Sequence, residues 1–528
     1  MQDYDYIIVG SGAAGAASAW RLATQGYRVI CLERGPHMSP EHYPSTSTDW
    51  EIKKNTTFHP AMAVRQNQYD YPVDDQNSPI AVCNFNAVGG STILYSGHFP
   101  RFLKRDFMIH SETGLGADWP IQYDALLPYF ALNEYEMGLS GLAGDPFYPE
   151  IETAMPPVPL GQVGHRLGKA FNEKGWHWWP SFAAIATRSR QGRDACINLG
   201  PCNTGCPQGA KGSVDITYLK RALKAGLTLE TEFAVTEVLV ENHKAIGVLG
   251  YNQQGEKVRI LGKHVILAAS AVGTPRILLH SKSKAYPNGL GNHSNQVGKH
   301  LMIHPLGYVE GLFDEPLQTA SGPQGCLLYS LEFHRCKEAE HQLGYMMHAL
   351  RGTGPVEVAK AALSRRKLRF GAALYEDFHA WYEHQAVISI ICEDPPEAHN
   401  HLSLDEAHLD RFGMPGIKVQ YKLHTNTQKM MTHGMQQARS LMQAAGAKKS
   451  YAYGPVRQTG WHLMGTCKMG VDPTNSVVNT KGQVHDVEGL YVIDGSVFPS
   501  SSCVNPANTI QAVALYLTDQ IIGQQDAA

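Results

Sequence analysis

Features that would place this chain in a membrane or on nucleic acid are absent from its sequence. No apolar run reaches the roughly 18 residues that a membrane-spanning helix needs. Basic residues are not in excess either, since 45 Lys and Arg stand against 48 Asp and Glu, for a formal net charge of −3. We therefore expect no membrane span and no nucleic-acid partner.

A secretory leader is also missing from the sequence as it stands. No basic segment followed by an apolar stretch precedes the first apolar strand pattern, which begins at residue 5. We therefore expect a cytoplasmic protein, unless a leader has been removed.

Cysteine is scarce and scattered, with 10 among 528 residues. Most of these side chains are expected to be small buried hydrophobes. Only Cys196, Cys202 and Cys206 cluster, and their C-x5-C-x3-C spacing matches neither the usual ferredoxin runs nor a zinc knuckle. A disulfide or free thiols are expected there in preference to a metal or cluster site, and we expect no metal site in the chain.

What the chain does have is a glycine-rich loop between a strand and a helix at its start. Residues 5–9 predict a short buried strand, GSGAAG follows at 10–15, and an alanine-rich helix is expected up to about Ala23. A second predicted strand, 27–32, ends in Glu33. This order of strand, G-x-G-x-x-G, helix, strand and acid is typical of dinucleotide binding.

Each position of this motif has a physical reason. Gly10 allows the tight turn, Gly12 lets the backbone approach a pyrophosphate, and Gly15 lets helix and strand pack closely. The helix N-terminus offers N–H groups to the phosphates. Glu33 can accept hydrogen bonds from ribose hydroxyls, which argues against a 2′-phosphate. The motif alone does not choose between NAD and FAD.

The length of 528 residues predicts two domains. We expect an α/β fold in which a Rossmann-like dinucleotide-binding domain is formed by 1–155, 191–305 and 455–528. An α+β substrate domain with an antiparallel sheet is expected from 156–190 and 306–454, because alternating strand patterns occur there at 386–391, 401–404 and 417–423. Helices are predicted there at 356–366 and 426–445.

Further elements of the first domain are predicted from local patterns. The irregular segment between Glu33 and about Asp75 is long enough to suggest a functional role. Predicted helices span 123–136 and 213–225, one opens at Thr274 as N-cap with Pro275 in its first position, and the last spans 506–520. Predicted strands span 233–240, 245–251, 257–261, 264–269 and 490–494.

Several short motifs carry candidate chemistry. Gly89 and Gly90 precede a hydroxyl pair and suggest a backbone lying against a flat ligand. Asp494 ends a predicted parallel strand, where ligands bind such sheets. Asn505 is a candidate N-cap of the last helix, whose N-terminus would favour negative charge above the sheet. His462 has the side chain suited to accept a proton near pH 7, although one His among 25 is more often structural.

Taken together, these motifs resemble the glucose–methanol–choline (GMC) family of flavoprotein oxidoreductases. CNTGCPQGAKGS at 202–213 is similar to a stretch of the gluconate-dehydrogenase-like and pyranose-oxidase-like branch, whereas 33–75 and 306–454 match no pattern. The resemblance rests on GSGAAG at 10–15, VGGST at 88–92, DWPI at 118–121, ILAASAVGTPRILLHS at 266–281, QVGKHLMIHP at 296–305, WHLMGT at 461–466 and YVIDGSVFPSSSCVNPANT at 491–509.

The resemblance implies FAD as the cofactor and an alcohol as the substrate: a sugar, a polyol or an aryl or alkyl carbinol. His462 would take the hydroxyl proton while hydride passes to the flavin. Asn505 would hydrogen-bond the substrate oxygen, unless its side chain caps its own helix. The partners implied are a small-molecule alcohol and an electron acceptor, which is oxygen, a quinone or a redox protein.

The resemblance also implies a set of cofactor contacts. FAD is expected to be non-covalent, because Leu94 and its neighbours occupy the segment where some relatives carry an attaching histidine, and His98 is one turn too late. The implied contacts are Gly10, Gly12, Ala14, Gly15, Glu33, Arg34, Gly89, Gly90, Ser91, Leu94, Tyr95, Val235, Ala269, Asp494, Pro506 and Thr509.

Two alternatives stay open at this stage. The first is a lyase on the same fold, which would use the histidine for proton transfer beside an idle flavin. The second is a subunit, catalytic or electron-transferring, of a multi-subunit dehydrogenase linked to a cytochrome. The substrate stays unnamed, because its pocket would come mostly from 306–454.

Overall fold

The computed structural model describes residues 4–335, 340–351, 353–364 and 368–526. Its strands form three sheets, and helices cover them, so that the expected α/β fold is confirmed. The strands are β1 Tyr4–Val9, β2 Val29–Leu32, β3 Val73–Asn77, β4 Trp179–Pro180, β5 Thr228–Glu230, β6 Ala234–Glu241, β7 Lys244–Tyr251, β8 Lys257–Leu267, β9 Leu306–Leu312, β10 Leu328–Ser330, β11 Tyr345–Leu350, β12 Gln385–Cys392, β13 His401–Leu409, β14 Pro415–Gln420, β15 Lys449–Tyr453 and β16 Leu490–Val492.

The helices fall between these strands, and short 3₁₀ turns occur among them, as at Gly90–Ile93 and Gly495–Val497. The α-helices are α1 Ala13–Thr24, α2 Trp50–Lys54, α3 Met62–Arg65, α4 Ile109–Thr113, α5 Tyr123–Met137, α6 Gly161–Lys174, α7 Lys220–Lys224, α8 Ser270–His280, α9 Pro355–Ser364, α10 Ala373–His379, α11 Thr425–Ala444 and α12 Ala507–Asp526. Within the described ranges, no helix is long and apolar enough to cross a bilayer.

The first sheet is built around β1, as the opening motif predicts. Its strand order is β5-β2-β1-β8-β7-β6, and β16 also pairs with β8. β1 runs parallel to β2 on one side and to β8 on the other, so Ile7 faces Ile30 and Val265 in the register. Ile7 and Ile8 are fully buried, as expected for a parallel strand covered on both faces.

The two strands predicted at 257–261 and 264–269 are wrong as separate elements, because β8 is continuous. Its first half pairs antiparallel with β7, and its second half pairs parallel with β1. Gly262 lies in the gap left between the two predictions and has a packing role: a Cβ there would lie 2.9 Å from Ile7 Cγ1. The glycine lets two strands approach without ending either one.

The predicted start of α8 is also wrong. The helix begins at Ser270, so Pro275 lies inside it. A proline cannot donate to the carbonyl four residues earlier, and here the Ala271 carbonyl accepts instead from Thr466 Oγ1 at 2.9 Å. Thr274 does not cap the helix from outside; its hydroxyl donates to Asp494 Oδ2 at 2.6 Å.

Two other helix predictions need correction. The helix predicted at 213–225 is a π-helical turn, Asp215–Leu219, followed by α7. α12 begins at Ala507, one residue after the predicted start, and Ile510 N donates to Pro506 O at 2.8 Å. Pro506 therefore occupies the N-cap position, and Asn505 precedes it.

The second sheet has the order β15-β9-β12-β11-β10-β4, and its neighbouring strands are antiparallel. All of its strands lie in 156–190 and 306–454, although the boundaries given for the two domains stay a prediction. α11 packs closely on this sheet, since a Cβ at Gly434 would lie 2.5 Å from Ile390 Cγ2. The third sheet, β13-β14-β3, joins the irregular segment after Glu33 to the predicted strands 401–404 and 417–423.

Candidate active site

Two adjoining cavities lie above the first sheet, and the second of them reaches the second sheet. The nucleotide cavity contains the GSGAAG loop, Glu33 and Asp494 in its wall. The histidine cavity contains His98, His348 and His462 in its wall, together with residues of β9, β11 and β12. They share Ala13, Ser91, Thr92, Trp461 and Ile510, so that one elongated space runs from the opening motif to the start of α12.

Close backbone approach forms the narrow middle of the nucleotide cavity. Gly90 adopts φ +55°, and a Cβ there would lie 2.9 Å from Gly12 Cα. The two glycine-rich segments therefore touch through backbone alone, beside the N-terminus of α1, where unpaired N–H groups favour an anion. Gly15 lies behind this wall, since a Cβ there would be 1.9 Å from Gly10 O.

Glu33 closes one end of this cavity and organises the loop. It is 6% exposed, and its carboxylate accepts from Ser11 N at 2.9 Å, Ser11 Oγ at 2.7 Å and Gly35 N at 2.8 Å. Burial raises the pKa of this carboxyl, and the three donors act against that rise. Gly89 does not line the cavity; its N–H donates to Ser11 Oγ at 3.3 Å.

A cluster that the sequence did not indicate lies beside Arg34. Asp410 accepts from both Arg34 and Arg276 at 2.8 Å, and the two guanidiniums lie over the Tyr71 ring at 5.3 and 4.3 Å from its centroid. Burial would raise the pKa of Asp410, but the two arginines lower it to about 2. This arrangement connects the nucleotide cavity to β13 and β14.

Asp494 holds the opposite wall of the nucleotide cavity. Its carboxylate accepts from Ser270 N at 2.9 Å, from Thr274 Oγ1 and from Ser496 N at 2.9 Å. Burial raises its pKa against these donors. The position at the end of β16 is the one that the sequence predicts for a ligand-facing acid.

Asn505 joins two histidines in the other cavity. Its Oδ1 lies 2.8 Å from His98 Nδ1, and its Nδ2 lies 3.0 Å from His462 Nε2. The side chain therefore does not cap α12, and that alternative is excluded by the geometry. Because an amide oxygen can only accept and an amide nitrogen can only donate, we assign the proton of His98 to Nδ1, and His462 Nε2 carries the lone pair that accepts from Asn505 Nδ2.

His304 completes the row on the far side of His462. The two Nδ1 atoms lie 3.1 Å apart, and the rings meet edge to face. Since His462 Nε2 is an acceptor, the neutral ring carries its proton on Nδ1 and donates to His304. One hydrogen-bonded series thus links His304, His462, Asn505 and His98.

Burial keeps these imidazoles neutral. It lowers the pKa of His462 to about 3, with a further contribution from His98, and it lowers the pKa of His98 to about 4. The pKa values of His304 and His348 fall well below the ordinary value for the same first cause. At neutral pH the histidine cavity therefore holds acceptor nitrogens and no imidazolium.

Lys211 supports the segment that contributes Leu94 and Tyr95 to the histidine cavity. It is 2% exposed, and its ammonium donates to the carbonyls of Ile93, Tyr95 and Cys202 at 2.6 to 2.7 Å. It comes from the 202–213 stretch that carries the branch resemblance, but no motif rule indicated its role. Cys196, Cys202 and Cys206 are free thiols in the structure, whereas Cys336 lies outside the described residues.

The structure brings most of the predicted site residues together. Gly15, Gly89 and Thr509 do not line either cavity; the Thr509 hydroxyl instead accepts from Phe102 N at 3.0 Å. The predicted residues in the walls are Gly10, Gly12, Ala14, Glu33, Arg34, Gly90, Ser91, Val235, Ala269 and Asp494 in the nucleotide cavity, and Ser91, Leu94, Tyr95, His462, Asn505 and Pro506 in the histidine cavity.

Sequence reasoning assigned no role in the site to three histidines that belong to it. His304 stands in QVGKHLMIHP and His98 follows VGGST closely, so both had a motif as a signal, but nothing indicated their partners. His348 lies in β11, inside the region without a recognisable pattern, and no sequence signal could have found it.

The residues present fit a flavin dinucleotide. Because Gly12 and Gly90 have no side chains, a diphosphate can lie beside their close approach, in space that any side chain there would fill. Glu33 lies where a ribose would need a hydrogen-bond acceptor. Ser91, Thr92 and Trp461 line both cavities, so a flat ring system placed there would face His462 and Asn505.

Comparisons with known proteins agree with this geometry. Two family models, both described as GMC oxidoreductase, match residues 4–306 and 396–514. The chain is 35% identical over 526 residues to 2-methyl-1,2-propanediol dehydrogenase of Mycolicibacterium austroafricanum, covering 98% of this chain and 95% of that protein. It is 25% identical to the fructose dehydrogenase large subunit of Gluconobacter japonicus, covering 98% and 97%.

Solved structures share the fold at lower identity. A formate oxidase of Aspergillus oryzae superposes with a TM-score of 0.67 at 18% identity, covering 99% of both chains. A pyridoxine 4-oxidase from Mesorbium loti gives 0.66 at 16% identity, with the same coverage. The matches confirm the family that the motifs indicate: the chain belongs to the GMC oxidoreductases and is an FAD-dependent enzyme that oxidises the CH–OH group of an alcohol.

Proposed function

We propose that His462 is the base that removes the hydroxyl proton of a sugar, polyol or carbinol substrate. The observation that carries this proposal is that Nε2 of this neutral, buried imidazole is an acceptor, bonded to Asn505 Nδ2 in the wall of the histidine cavity. Relatives named as dehydrogenases of 2-methyl-1,2-propanediol and of fructose support an alcohol of this type.

Asn505 is proposed to hold the substrate oxygen beside this base. A hydroxyl that enters between His462 Nε2 and Asn505 Nδ2 would donate to the first atom and accept from the second, replacing their direct 3.0 Å contact. Both partners are satisfied by one hydroxyl in this arrangement. Bound FAD supplies the hydride acceptor for the carbon.

His304 and His98 are proposed to orient the reacting pair. His304 Nδ1 accepts a hydrogen bond from the Nδ1–H of His462, which keeps Nε2 as the basic nitrogen. His98 donates to Asn505 Oδ1, which keeps the Asn505 amide nitrogen turned to the substrate oxygen. The series therefore fixes both a tautomer and an amide orientation before substrate arrives.

Anaerobic addition of an alcohol substrate tests the proposed function against the lyase alternative. Oxidation of the alcohol must reduce bound FAD, so the yellow absorbance is expected to bleach in the wild type. A lyase would consume substrate with the absorbance unchanged, and that result would overturn the proposal.

The electron acceptor is proposed to be a quinone, oxygen or a redox protein. The similarity to a fructose dehydrogenase subunit favours an acceptor other than oxygen, within a larger complex. Parallel assays of the purified chain with an artificial dye and with oxygen separate these cases. The cytoplasmic location stays a prediction.

Non-covalent attachment of FAD is also proposed. Leu94 and Tyr95 line the histidine cavity and occupy the segment where an attaching histidine would stand. Neither side chain has the imidazole nitrogen that such an attachment needs. Acid precipitation is expected to release the yellow cofactor into the supernatant.

A further inference from the structure

Two histidines in the wall of the histidine cavity, His98 and His348, each have a buried Nε2 without a hydrogen-bond partner in the described part of the chain, and His98 is the one that contacts Asn505. His98 is 1% exposed, and its Nδ1 is committed to Asn505 Oδ1 at 2.8 Å. Its Nε2 has no hydrogen-bond partner in the described part of the chain, although the residue lines the cavity. A buried acceptor without a donor is destabilising, and such groups call for a specific explanation.

The ring of His98 is held firmly in place. It stacks on the His348 ring with centroids 4.2 Å apart and planes 20° apart, and the Asn505 contact fixes its rotation. The Nε2 atom therefore occupies one position with one role, that of an acceptor on a neutral ring. What it lacks is an O–H or N–H group of a ligand.

We propose that His98 Nε2 accepts a hydrogen bond from a second hydroxyl of the substrate, so that this enzyme selects diols and polyols over mono-alcohols. The inference rests on the proposed function, in which the first hydroxyl lies between His462 and Asn505. Asn505 stands between the two sites, since one end of its carboxamide contacts His462 and the other end contacts His98. Two hydroxyls on neighbouring carbons would meet the two ends of this arrangement.

Part of the cavity wall is apolar, beside polar residues such as Ser96, Gln324 and Ser389, and this apolar part strengthens the selection. It is formed by the side chains of Leu94, Leu306, Leu350 and Ile391. A mono-alcohol would leave the His98 acceptor desolvated and unpaired among them. Sites built to hydrogen-bond a hydroxyl discriminate strongly against analogues that lack it.

The test compares 1,2-propanediol with 1-propanol and 2-propanol on the holoenzyme, with a dye as electron acceptor. The wild type is expected to favour the diol in kcat/KM by about 10- to 100-fold over the better mono-alcohol, the range for one buried hydrogen bond. Pinacol and tert-butanol, whose carbinol carbons carry no hydrogen, provide a readout without turnover: pinacol should perturb the flavin absorbance at a Kd lower by a similar factor.

Two substitutions of His98 separate its two nitrogens. His98→Asn keeps a donor near the Nδ1 position and removes the distal acceptor, so the diol preference in turnover and the pinacol preference in binding should both collapse. His98→Gln keeps an acceptor near the Nε2 position and loses the contact with Asn505, so kcat should fall for every alcohol while the diol preference survives. Flavin content and the absorbance spectrum report whether each variant folds.

The outcomes distinguish this inference from the function on which it rests. Equal kcat/KM for the diol and the mono-alcohols in the wild type, or an unchanged diol preference in His98→Asn, would overturn the inference alone. Oxidation of none of the three alcohols, nor of any other alcohol tested, would overturn the proposed function. Flavin that stays with the acid-precipitated wild type, but not with His98→Asn, would show that Nε2 is bonded to the cofactor and would also overturn the inference.

Discussion

The two ends of the long cavity are built in different ways. The nucleotide cavity is centred on the backbone of one short segment, 10–33, against which Gly90 and Asp494 are placed from elsewhere in the chain. The histidine cavity is made of side chains from distant segments: His98 precedes α4, His348 lies in β11, and Asn505 precedes α12. The nucleotide end therefore depends on how closely backbone segments can approach each other, and the histidine end depends on which side-chain atoms form hydrogen bonds.

This difference predicts different consequences of mutation. At the nucleotide end, adding an atom should reduce cofactor binding most, because the space between the two backbones has no room for a Cβ. At the histidine end, removing an atom should do most damage, because each nitrogen has one partner in a series. Substitutions of matched size at the two ends test this contrast.

The largest expected effect is that of His462→Ala. Removal of the base should lower kcat by about 10²- to 10⁴-fold, the usual contribution of a positioned general base. Bound FAD should remain, because His462 does not line the nucleotide cavity. Dye-linked kinetics and the flavin spectrum measure the two quantities. His401→Ala, outside the lining of both cavities, is the control, and retained activity in the His462 variant would mean that another group is the base.

The next effect is that of Gly90→Ala. The added Cβ would lie 2.9 Å from Gly12 Cα, so the diphosphate passage should narrow and the affinity for FAD should fall by about 10- to 100-fold. Gly114→Ala is a matched control, since its φ of +72° is similarly strained but nothing lies within 4 Å of the new atom. Titration of each apoprotein variant with FAD measures its affinity for the cofactor. Equal losses in the two variants would show that backbone strain, and not the close approach, is responsible.

A smaller effect is expected for Glu33→Gln. The amide nitrogen of glutamine would face the donors that Glu33 now accepts from, so the loop should loosen and FAD affinity should fall about tenfold. Glu230→Gln, at an exposed position in β5, should leave the affinity unchanged. An unaltered dissociation constant in the Glu33 variant would remove this carboxylate from the proposed cofactor site.

The same contrast explains how much the sequence could predict. The strand, loop, helix and acid at 4–33 are set by short-range sterics and hydrogen bonding, and they were found where expected. The predicted element boundaries were wrong where a distant residue takes part. Thr466 donates the hydrogen bond that Pro275 cannot supply inside α8, and Ile7 packs against Gly262 inside β8. Local patterns contain no information about such contacts.

The histidine end was predictable only in part. His462 and Asn505 could be named because each stands in a recognisable motif. Their geometry could not, because Asn505 is held by His98, a residue 407 positions away in sequence. The local preference of asparagine for a helix N-cap pointed to the wrong role, since two tertiary hydrogen bonds replace the single capping bond.

The smallest expected effect is a difference in acid sensitivity. Burial lowers the pKa of His98 to about 4, whereas a histidine in the unfolded chain has a pKa of about 6.5. As pH falls from about 6.5 toward about 4, the unfolded chain takes up a proton that the native protein does not, so the free energy of unfolding decreases. For one such histidine the loss between pH 7 and pH 5 is about 2 kcal/mol, or about 2 degrees in Tm for a chain of this length.

Glu33 and Asp494 respond in the opposite direction, because burial raises their pKa and protonation of the native carboxyl relieves its burial as pH falls. Scanning calorimetry of the holoenzyme at pH 7 and pH 5 measures the balance. The wild type should lose a few degrees, and His98→Asn, which removes one of the buried imidazoles, should lose less. A decrease in Tm that is equal or larger in the variant would show that His98 is not a source of acid sensitivity, and the contrast between the two ends would then have to rest on their structure alone.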